Sequence, residues 1–504
     1  MSRQKLSRRE MLERSMFATA AAVAAEYASL PVLFGQDAPG SKSPNERIRI
    51  AVTGANGRGG SHIGEIRKRQ DAEVAAIVDV DEAVGQRWIG AIEKETGKKP
   101  AFYKDLRQAL EDKTIDAVSI ATPNHWHSLA AIWSMQAGKD VYVEKPVSHN
   151  VSEGRRCVQV ARKHKRICQT GTQSRSNSGM RQAIEFIHEG GIGEVKLARG
   201  LCYKRRGSIG PRGVYEPPKS VDYDLWSGPA PIKPITRGKF HYDWHWQWDY
   251  GNGDLGNQGI HQMDIARWGL GVSDLGDGVL SYGGRVGYFD KEGNVEADAG
   301  ETANTQVCIH RYGDKRLVFE VRGLPTPKLT PPKGDAAADV GVIFYGSKGY
   351  VVMPSYSAGI VFDLDGNKVK EFKGGGDSAH WENFLAACRS RKHEDLHADI
   401  LEGHLSSALC HLGNISYRLG EQMPVAEIKQ RLVGDSEALE TFSRFSEHLV
   451  ANKVDVASTK GSFGLDLTLD GKKEIFIGSH ADAANPMLTR EYRKPFVVPA
   501  EKDV

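Results

Sequence analysis

The segment around residue 55 restricts the possible folds of this chain more than any other part of the sequence. Residues 47–53 (RIRIAVT) form an apolar run typical of a buried strand, and the glycine-rich turn 54–60 (GANGRGG) follows it directly. A helical pattern begins at Ser61, and a second apolar run ends at Asp79, 20 residues after Gly59. A strand, a glycine turn, a helix and a second strand that ends in an acid are together typical of a dinucleotide-binding Rossmann unit.

This arrangement predicts where a nucleotide would bind. Glycines let a pyrophosphate approach the backbone, and the helix N-terminus offers free N–H groups and a partial positive charge. An acid at the end of the second strand accepts hydrogen bonds from the adenosine ribose and repels a 2′-phosphate, so NAD is favoured over NADP. A doubly wound domain that binds no nucleotide is the alternative. The predicted nucleotide-binding residues of this segment are Gly54, Asn56, Gly57, Arg58, Gly59 and Asp79.

The alternation of strands and helices continues to residue 170. Two more polar turns, ATPNHWH at 121–127 and EKP at 144–146, each follow an apolar run. Because ligands of a parallel sheet sit beyond the carboxyl ends of its strands, these turns should line the same cleft. Residues 47–170 are therefore predicted to form an NAD-binding Rossmann domain, a doubly wound parallel α/β sheet. The turns add Thr122, Pro123, Asn124, His127, Glu144 and Lys145 to the predicted nucleotide-binding residues.

The first 36 residues are predicted to be an export signal rather than part of the fold. Arg8 and Arg9 stand in the context SRREML, and a weakly apolar, alanine-rich run follows at 16–25. Paired arginines before a run too short to span a membrane indicate a twin-arginine signal, and hence an exported, periplasmic protein without stable membrane insertion. An amphipathic N-terminal helix is the alternative. Twin-arginine export moves folded proteins, often with a cofactor already inserted, so the signal favours a tightly bound cofactor.

Composition excludes several classes of function. The chain has 504 residues, of which 40% are hydrophobic and 26% are charged, as in an ordinary soluble protein. Lys and Arg number 67 against 64 Asp and Glu, and a net charge of +3 gives no electrostatic basis for binding nucleic acid. The six cysteines form no CxxC pair, so no metal site is predicted. Residues 37–46 are polar and rich in Pro, Gly and Ser, which predicts a linker.

The EKP turn, the ATPNHWH turn and the later segment GIHQMD at 259–264 occur in this order along the chain. In this combination the sequence resembles the Gfo/Idh/MocA oxidoreductases, over roughly residues 47–425. The resemblance implies a second α/β domain at 171–425 with a large, mostly antiparallel open sheet. One face of that sheet would line the substrate site, and the other would form a homo-oligomer. Residues 426–504 are predicted to be a C-terminal extension, for which the sequence indicates no chemistry.

The resemblance also implies roles for three residues. Lys145 would lie beside the nicotinamide, where its charge stabilises an alkoxide that forms as hydride leaves. His261, in the G-x-H-x-x-D motif, would be the general acid or base on the substrate hydroxyl. Asn257 stands where many dehydrogenases of the family carry Asp. Its carbonyl oxygen can orient an imidazole but cannot neutralise an imidazolium, and nearby Asp254 or Asp264 could compensate.

The substrate side of the site is predicted from the segment HYDWHWQWDY at 241–250. On a strand, Trp244, Trp246 and Trp248 would share one face and could pack on the C–H groups of a sugar. A hydrophobic plug or an oligomer contact is the alternative. Further predicted substrate-binding residues are Tyr203, Arg205 and Asp264.

Three functions remain open from the sequence. The leading prediction is an NAD-dependent oxidoreductase that acts on a sugar, a polyol or a sugar derivative by hydride transfer. The alternative is a redox-assisted glycoside hydrolase or lyase, in which tightly bound NAD is recycled within each turnover. The third is a non-catalytic sugar-binding protein, against which the presence of both Lys145 and His261 argues.

Overall fold

The protein is described here by a computed structural model, which covers residues 47–331 and 333–504. The export signal predicted for residues 1–36 and the linker predicted for 37–46 lie outside the described residues. Within the described ranges, no helix combines the length and the apolar character needed to cross a membrane.

A parallel sheet forms the N-terminal part of the described chain. Its strands are β1 (Ile48–Thr53), β2 (Ala72–Val78), β3 (Ala101–Tyr103), β4 (Ala117–Ile120), β5 (Asp140–Val143) and β6 (Cys168–Thr170). They pair in the order β3-β2-β1-β4-β5-β6, and every pair is parallel. The predicted doubly wound sheet is confirmed. Its strand order reverses between β1 and β4, the point at which such sheets bind ligands.

Helices on both sides connect these strands. They are α1 (Arg58–Arg67), α2 (Glu82–Thr96), α3 (Leu106–Glu111), α4 (Asn124–Gln136) and α5 (Val151–Lys163). The side chains of Asp81, Asp105 and Asn150 accept backbone N–H groups at the starts of α2, α3 and α5, as N-caps do. By contrast, α1 starts after Gly57 without a side-chain cap. Its N-terminal N–H groups are therefore not taken up by a capping side chain.

A large mixed sheet forms most of the remaining described chain. Its strands are β7 (Val195–Cys202), β8 (Gly278–Gly284), β9 (Thr305–Tyr312), β10 (Lys315–Arg322), β11 (Val340–Gly346), β12 (Gly349–Met353), β13 (Ala358–Asp363), β14 (Lys368–Lys373), β15 (Glu421–Pro424), β16 (Lys460–Phe463), β17 (Leu467–Asp470) and β18 (Ile475–Ile477). The main path is β14-β13-β12-β11-β7-β10-β9-β8-β16-β15, and β17 joins β18 to β8. Only the β7–β10 pair is parallel among the described strands of this sheet. The predicted large, mostly antiparallel sheet is confirmed.

Helices pack on both faces of this large sheet. The remaining helices of the described chain are α6 (Ser178–His188), α7 (Tyr223–Ser227), α8 (Ile260–Leu270), α9 (Asp377–Ser390), α10 (Ile400–Arg418), α11 (Ile428–Arg431), α12 (Ser436–Ala451) and α13 (Ala481–Ala484). Apolar side chains of α6, α8 and α10 form one core with Leu317, Phe319 and Val321 of β10. On the opposite face, Phe442 and Phe445 of α12 pack against β8, β9 and β10.

A buried ion-pair cluster joins α12 to the sheet. Glu320 of β10 is 1% exposed and accepts hydrogen bonds from Arg199 of β7 at 2.7 Å and from Arg444 of α12 at 2.7 and 2.8 Å. Burial alone would raise the pKa of Glu320, but these guanidinium groups hold it well below its usual value. The C-terminal extension thus covers part of the sheet face on which the sequence predicts a homo-oligomer. Oligomerisation itself stays a prediction.

The helix α9, although late in the chain, completes the core of the nucleotide-binding sheet. The Trp381 ring stacks on Tyr142 of β5 with centroids 4.3 Å apart and planes at 4°. Phe384 and Leu385 pack in the same core as Ile50 and Val52 of β1. Burial of one face of α9 against β1 and β5 explains why residues 380–385 (HWENFL) carry apolar side chains at helical spacing.

Candidate active site

A cleft of about 860 Å³ lies at the carboxyl ends of β1, β2, β4 and β5. The loop that contains Trp244 and the start of α8, which contains His261, line the same cleft. Two parts of the chain far apart in sequence therefore meet at the switch point of the parallel sheet. Of the residues predicted to bind nucleotide, those that line the cleft are Gly54, Asn56, Gly57, Arg58, Asp79, Thr122, Pro123, Asn124, His127, Glu144 and Lys145.

Gly59, also predicted to bind nucleotide, does not line the cleft. It is buried in the first turn of α1, where a Cβ atom would lie 1.8 Å from the carbonyl oxygen of Gly54. Only a glycine permits so close an approach between α1 and the end of β1. Gly59 therefore shapes the turn, contrary to its predicted contact with the nucleotide, and its neighbours Gly57 and Arg58 line the cleft.

The glycine turn forms a cradle that fits a pyrophosphate. Gly54 has a φ of +78°, and a Cβ there would lie 2.8 Å from the backbone nitrogen of Thr122. Gly57 has a φ of +62° and has open space on the side where a Cβ would stand. The hydroxyl of Thr122 is buried and has no hydrogen-bond partner among the described residues, so a polar ligand atom could satisfy it. These features, with the uncapped start of α1, match what a dinucleotide requires.

Asp79 is held in place by the backbone around it. Its carboxylate accepts N–H groups from Ala55 at 2.8 Å and from Asp81 at 2.9 Å. Burial raises the pKa of Asp79, and the two backbone hydrogen bonds oppose that effect. Asp81 lines the cleft beside it, and His241 Nε2 lies 3.0 Å from the Asp81 carboxylate. Two adjacent acids at the end of β2 suit ribose hydroxyls and oppose a 2′-phosphate.

Glu144 is the centre of a buried polar network below the cleft. Its carboxylate lies 2.8 Å from Arg58 Nε and 3.0 Å from His62 Nε2, and His62 Nδ1 lies 2.7 Å from the hydroxyl of Ser119. Burial favours a raised pKa for Glu144, but the charge of Arg58 and the bond to His62 hold the pKa well below its usual value. Arg58 also contacts Asp377 at 3.0 Å. The first residue of α1, the EKP turn and α9 are thereby tied together.

Lys145 is positioned by a main-chain carbonyl. Its Nζ donates a hydrogen bond to the carbonyl oxygen of Asn257, with 2.5 Å between the two atoms. Burial lowers the pKa of Lys145, and the neighbouring Glu144 carboxylate acts in the opposite direction. The peptide bond between Lys145 and Pro146 is cis. The imidazole of His127 lies 2.6 Å from the carbonyl of Pro146 and 2.7 Å from that of Thr122, so it links the two polar turns.

His261 stands at the second position of α8, and its ring is buried at 8% exposure. Its ring centroid lies 4.8 Å from that of Tyr356, and its Nδ1 is buried with no hydrogen-bond partner among the described residues. Burial and the charge of Lys145 hold the pKa of His261 well below its usual value, so the imidazole is neutral. In this neutral form the imidazole can act as an acceptor toward a hydroxyl, although the lowered pKa makes it a weak base.

Asn257 lines the cleft, but its side chain does not orient His261. Its amide group lies 3.5 Å from an oxygen of Asp254, and within the described ranges it makes no hydrogen bond to the imidazole. Asp254 and Asp264, the two acids that could have compensated for the missing carboxylate at position 257, bind arginine side chains instead. Asp254 forms hydrogen bonds with Arg206 at 2.7 and 2.9 Å, and Asp264 binds the buried Arg175 at 2.9 and 3.0 Å. Asp264 lies outside the cleft, so the structure gives it a structural contact instead of the predicted one with substrate.

The three tryptophans do not lie on a strand. Residues Asp243–Trp246 form a 3-10 helix, so alternate residues no longer point the same way. Trp244 lines the cleft as predicted. Trp246 and Trp248 do not, and their rings lie against the guanidinium groups of Arg206 and Arg418, at 5.1 and 4.9 Å.

Tyr203 and Arg205 also lie outside the cleft. The Tyr203 hydroxyl donates to Glu320 at 2.8 Å, on the sheet face that α12 covers. Arg205 is exposed. Other cleft-lining side chains were not predicted. His241, Tyr242, His245 and Gln258 stand within or beside segments that the sequence singles out, whereas no local pattern marks Gln173, Lys204, Tyr356 or Asp377.

A parallel sheet with a glycine cradle at its switch point, and an acid at the end of β2, defines an NAD-binding Rossmann-fold protein. Residues 48–172 match the model of the oxidoreductase family with an NAD-binding Rossmann fold, and residues 209–276 match the model of that family's C-terminal alpha/beta domain. Residues 48–172 and 209–276 thus belong to the two domain types of the Gfo/Idh/MocA oxidoreductase family.

Relatives with sequence similarity match about a third of their own length. A glycosyl hydrolase family 109 protein of Shewanella sp. strain ANA-3 is 31% identical over 154 residues, which are 30% of this chain and 34% of the relative. An alpha-N-acetylgalactosaminidase of Shewanella oneidensis is 30% identical over 182 residues, 35% of this chain and 39% of the relative. Among solved structures, the WlbA dehydrogenase of Bordetella pertussis, in complex with NADH and UDP-GlcNAcA, superposes with a TM-score of 0.52 at 22% identity. That match covers 74% of this chain and 97% of the dehydrogenase, and it supports the fold alone.

Proposed function

We propose that this protein binds NAD and acts on a carbinol carbon of a sugar, a polyol or a sugar derivative. One observation carries the proposal: Lys145 and His261 line the same cleft as the glycine cradle and Asp79. The cradle and the acid suit a dinucleotide, whereas an ammonium and a neutral imidazole suit a hydroxyl that must lose its proton. NAD, when bound, would supply the chemistry of accepting a hydride from that carbon.

The chain's own groups divide the work on the hydroxyl. Lys145 Nζ has a fixed position because it donates one of its hydrogens to the Asn257 carbonyl. Its other hydrogens have no acceptor among residues 47–331 and 333–504 and can contact a substrate oxygen. Its positive charge lowers the energy of the alkoxide that develops on that oxygen. His261 is the acceptor of the hydroxyl proton in this proposal, because its ring is neutral and lines the same cleft, and it returns that proton when the reaction runs in reverse.

A sugar or polyol suits the remaining wall of the cleft. Trp244 and Tyr356 offer aromatic faces, and Gln173 and Gln258 offer amide groups that both donate and accept hydrogen bonds. Aromatic faces pack well on the C–H groups of a ring, while amides pair with its hydroxyls. The cleft volume of about 860 Å³ accommodates a dinucleotide and a small substrate together.

A second candidate function is glycoside cleavage with a cofactor that is restored in each turnover. In that reaction the sugar carbon is oxidised only transiently, and the net change is hydrolysis of the glycosidic bond. Two observations favour it: the sequence relatives carry glycosyl hydrolase names, and no carboxylate binds His261 among the described residues. The contact between His241 and Asp81, which both line the cleft, is consistent with slow release of a nucleotide, as a recycled cofactor requires.

The experiment that separates the two candidates starts from the purified protein without added nucleotide. Denaturation followed by chromatography measures the NAD content. Free sugars, polyols and nitrophenyl glycosides, including the α-N-acetylgalactosaminide, are then tested with and without added NAD⁺. Net formation of NADH from free sugars supports the oxidoreductase. Release of nitrophenol without added NAD⁺ and without net NADH supports glycoside cleavage.

Substitution of Lys145 tests the mechanism common to both candidates. Lys145→Met should abolish turnover and keep the NAD content, because the ammonium acts on the substrate oxygen while the glycine cradle holds the nucleotide. His261→Ala should reduce turnover by about 10²- to 10⁴-fold, as expected for a general acid–base. Lys68→Met, at the exposed lysine that follows α1 and contacts Glu65, is the control and should retain wild-type activity.

Full activity of the Lys145→Met protein would contradict both candidates. Loss of bound NAD from that variant, with a normal unfolding midpoint, would instead assign Lys145 to cofactor binding.

A further inference from the structure

His245 lines the cleft but has no role in the proposed mechanism. It lies on the 3-10 helix Asp243–Trp246, and its ring stacks on Trp244 with centroids 3.7 Å apart and planes at 20°. Its Nδ1 lies 2.6 Å from the carbonyl oxygen of Tyr242. A carbonyl can only accept, so Nδ1 carries the hydrogen and Nε2 of the neutral ring has a free lone pair.

That lone pair has no partner within the protein as described. His245 Nε2 makes no hydrogen bond to any residue of 47–331 or 333–504, and it is not enclosed by protein atoms. Burial and the nearby charge of Lys145 lower the pKa of His245 to about 3. The ring is therefore a neutral acceptor at physiological pH, in the same cleft that Lys145 lines.

The loop does not need this imidazole to keep its shape. The carbonyl oxygen of Trp246 accepts the backbone N–H of Glu301 at 2.8 Å, and the Glu301 carboxylate accepts the N–H of Trp248 at 2.9 Å. Gly251 packs so closely on the backbone of His245 that a Cβ would lie 2.5 Å from the carbonyl oxygen of His245. Main-chain contacts thus fix the position from which the ring projects.

We propose that His245 Nε2 accepts a hydrogen bond from a substrate hydroxyl next to the one that Lys145 contacts. His245 is then a positioning and specificity-determining residue, and the substrate class is a ring or chain with adjacent hydroxyl groups. This inference rests on the proposed function, because it assumes that a hydroxylated substrate binds beside Lys145. A compound that lacks the second hydroxyl leaves the Nε2 lone pair unpaired and is disfavoured.

The test pairs two variants with a series of deoxy sugars. His245→Phe keeps an aromatic ring on Trp244 but removes the acceptor, and His245→Gln restores an acceptor through its amide oxygen. The probes are D-galactose, N-acetyl-D-galactosamine and the monodeoxy derivatives of each. Calorimetry on the NAD-loaded proteins measures dissociation constants, so the readout does not depend on turnover. Equal NAD content and equal unfolding midpoints establish that the variants are folded.

We expect one deoxy position to weaken binding to the wild type by about 2- to 12-fold, the range for a neutral hydrogen bond. His245→Phe should weaken binding of the parent sugar by a similar factor. This variant should bind the parent sugar and the deoxy sugar with equal affinity, while His245→Gln recovers part of the affinity for the parent sugar. In the ¹⁵N NMR spectrum of histidine-labelled protein, His245 should carry its hydrogen on Nδ1.

The assignment of His245 would be overturned if, at every deoxy position, the loss of affinity from His245→Phe and the loss from the deoxy substitution multiply as independent effects. A hydrogen found on Nε2 would also overturn it. If no sugar of the series binds the wild type, the proposed function fails and this assignment fails with it. The two failures are therefore distinguishable.

Discussion

The buried carboxylate of Glu144 provides the sharpest test of how the cleft is held together. Its Oε1 lies 2.8 Å from Arg58 Nε and 3.0 Å from His62 Nε2, and the side chain is 5% exposed. Glu144→Gln keeps the size of the side chain but removes its negative charge. It also places an amide NH₂, a hydrogen-bond donor, beside the nitrogen atoms of Arg58 and His62. Loss of one partner of a buried ion pair destabilises a protein by about 3–5 kcal/mol. Since Arg58 still has Asp377, we expect the lower end, about 3 kcal/mol.

Denaturant unfolding of wild type and variant between pH 7.5 and pH 3 measures this difference. The folded pKa of Glu144 is held below the unfolded value of 4.5, so its stabilisation is complete above pH 4.5 and is lost as the pH falls toward the folded pKa. The difference in free energy of unfolding between wild type and Glu144→Gln should therefore be largest at pH 7.5 and decrease below pH 4.5.

The matched control acts on the other contact of the same guanidinium. Asp377→Asn removes a carboxylate that is 45% exposed, and an exposed pair contributes about 0–1 kcal/mol. A loss below about 1 kcal/mol for Glu144→Gln at pH 7.5, or a gap that does not change with pH, would refute the argument that a buried ionised Glu144 stabilises the cleft.

Three further predictions concern the nucleotide and export. Calorimetry should show that the wild type prefers NAD⁺ to NADP⁺ and that Asp79→Asn reduces this preference, because Asp79 lines the cleft at the end of β2; a wild type that prefers NADP⁺ would contradict the assignment. His241→Ala removes the 3.0 Å contact with Asp81 and should speed NAD loss during gel filtration by up to about 5-fold, whereas an unchanged rate would exclude a role in retention. Replacement of Arg8 and Arg9 by Lys should abolish export, and undiminished export would rule out a twin-arginine signal.

The sequence predicts the nucleotide-binding half well because its determinants are local. An apolar run, a glycine turn and an acid 20 residues later each have a short-range physical reason, and β1, α1 and β2 follow them closely. His62 could not be predicted in the same way. It is one of several polar residues on α1, and its bonds to Ser119 and Glu144 depend on strands β4 and β5, which are distant in sequence.

The prediction for the tryptophan segment was wrong because alternation of aromatic residues is not specific to strands. Residues around Trp244 belong to a small aromatic core of their own. Arg237, fully buried, lies at the centre of that core, with its guanidinium 4.9 to 5.2 Å from the rings of Trp226, Phe240 and Tyr250. Cation–π contacts of this kind stabilise a compact loop, and they join residues whose proximity no local pattern indicates.

Tyr203 illustrates a second limit of sequence reasoning. Alternation along β7 separates its residues into two faces, but alternation does not say which face meets the substrate. The face that holds Arg199 and Tyr203 is covered by α12, a helix more than 230 residues later in the chain. The hydroxyl of Tyr203 therefore donates a hydrogen bond to Glu320 in this buried charged cluster.

Asn257 was singled out by the sequence for its side chain, yet its main-chain carbonyl makes the contact that matters. A carboxylate at this position could pair directly with Lys145 and would neutralise much of its charge. A carbonyl dipole fixes the same ammonium through one hydrogen bond and leaves its charge uncompensated by that partner. Burial, together with the positive charge of Lys145, lowers the pKa values of His261 and His245, so both imidazoles are neutral. Under the proposed function, Lys145 is the cation that faces a developing alkoxide, and His261 and His245 are neutral acceptors for substrate hydroxyls, in a cleft that Arg58, Lys104 and Lys204 also line.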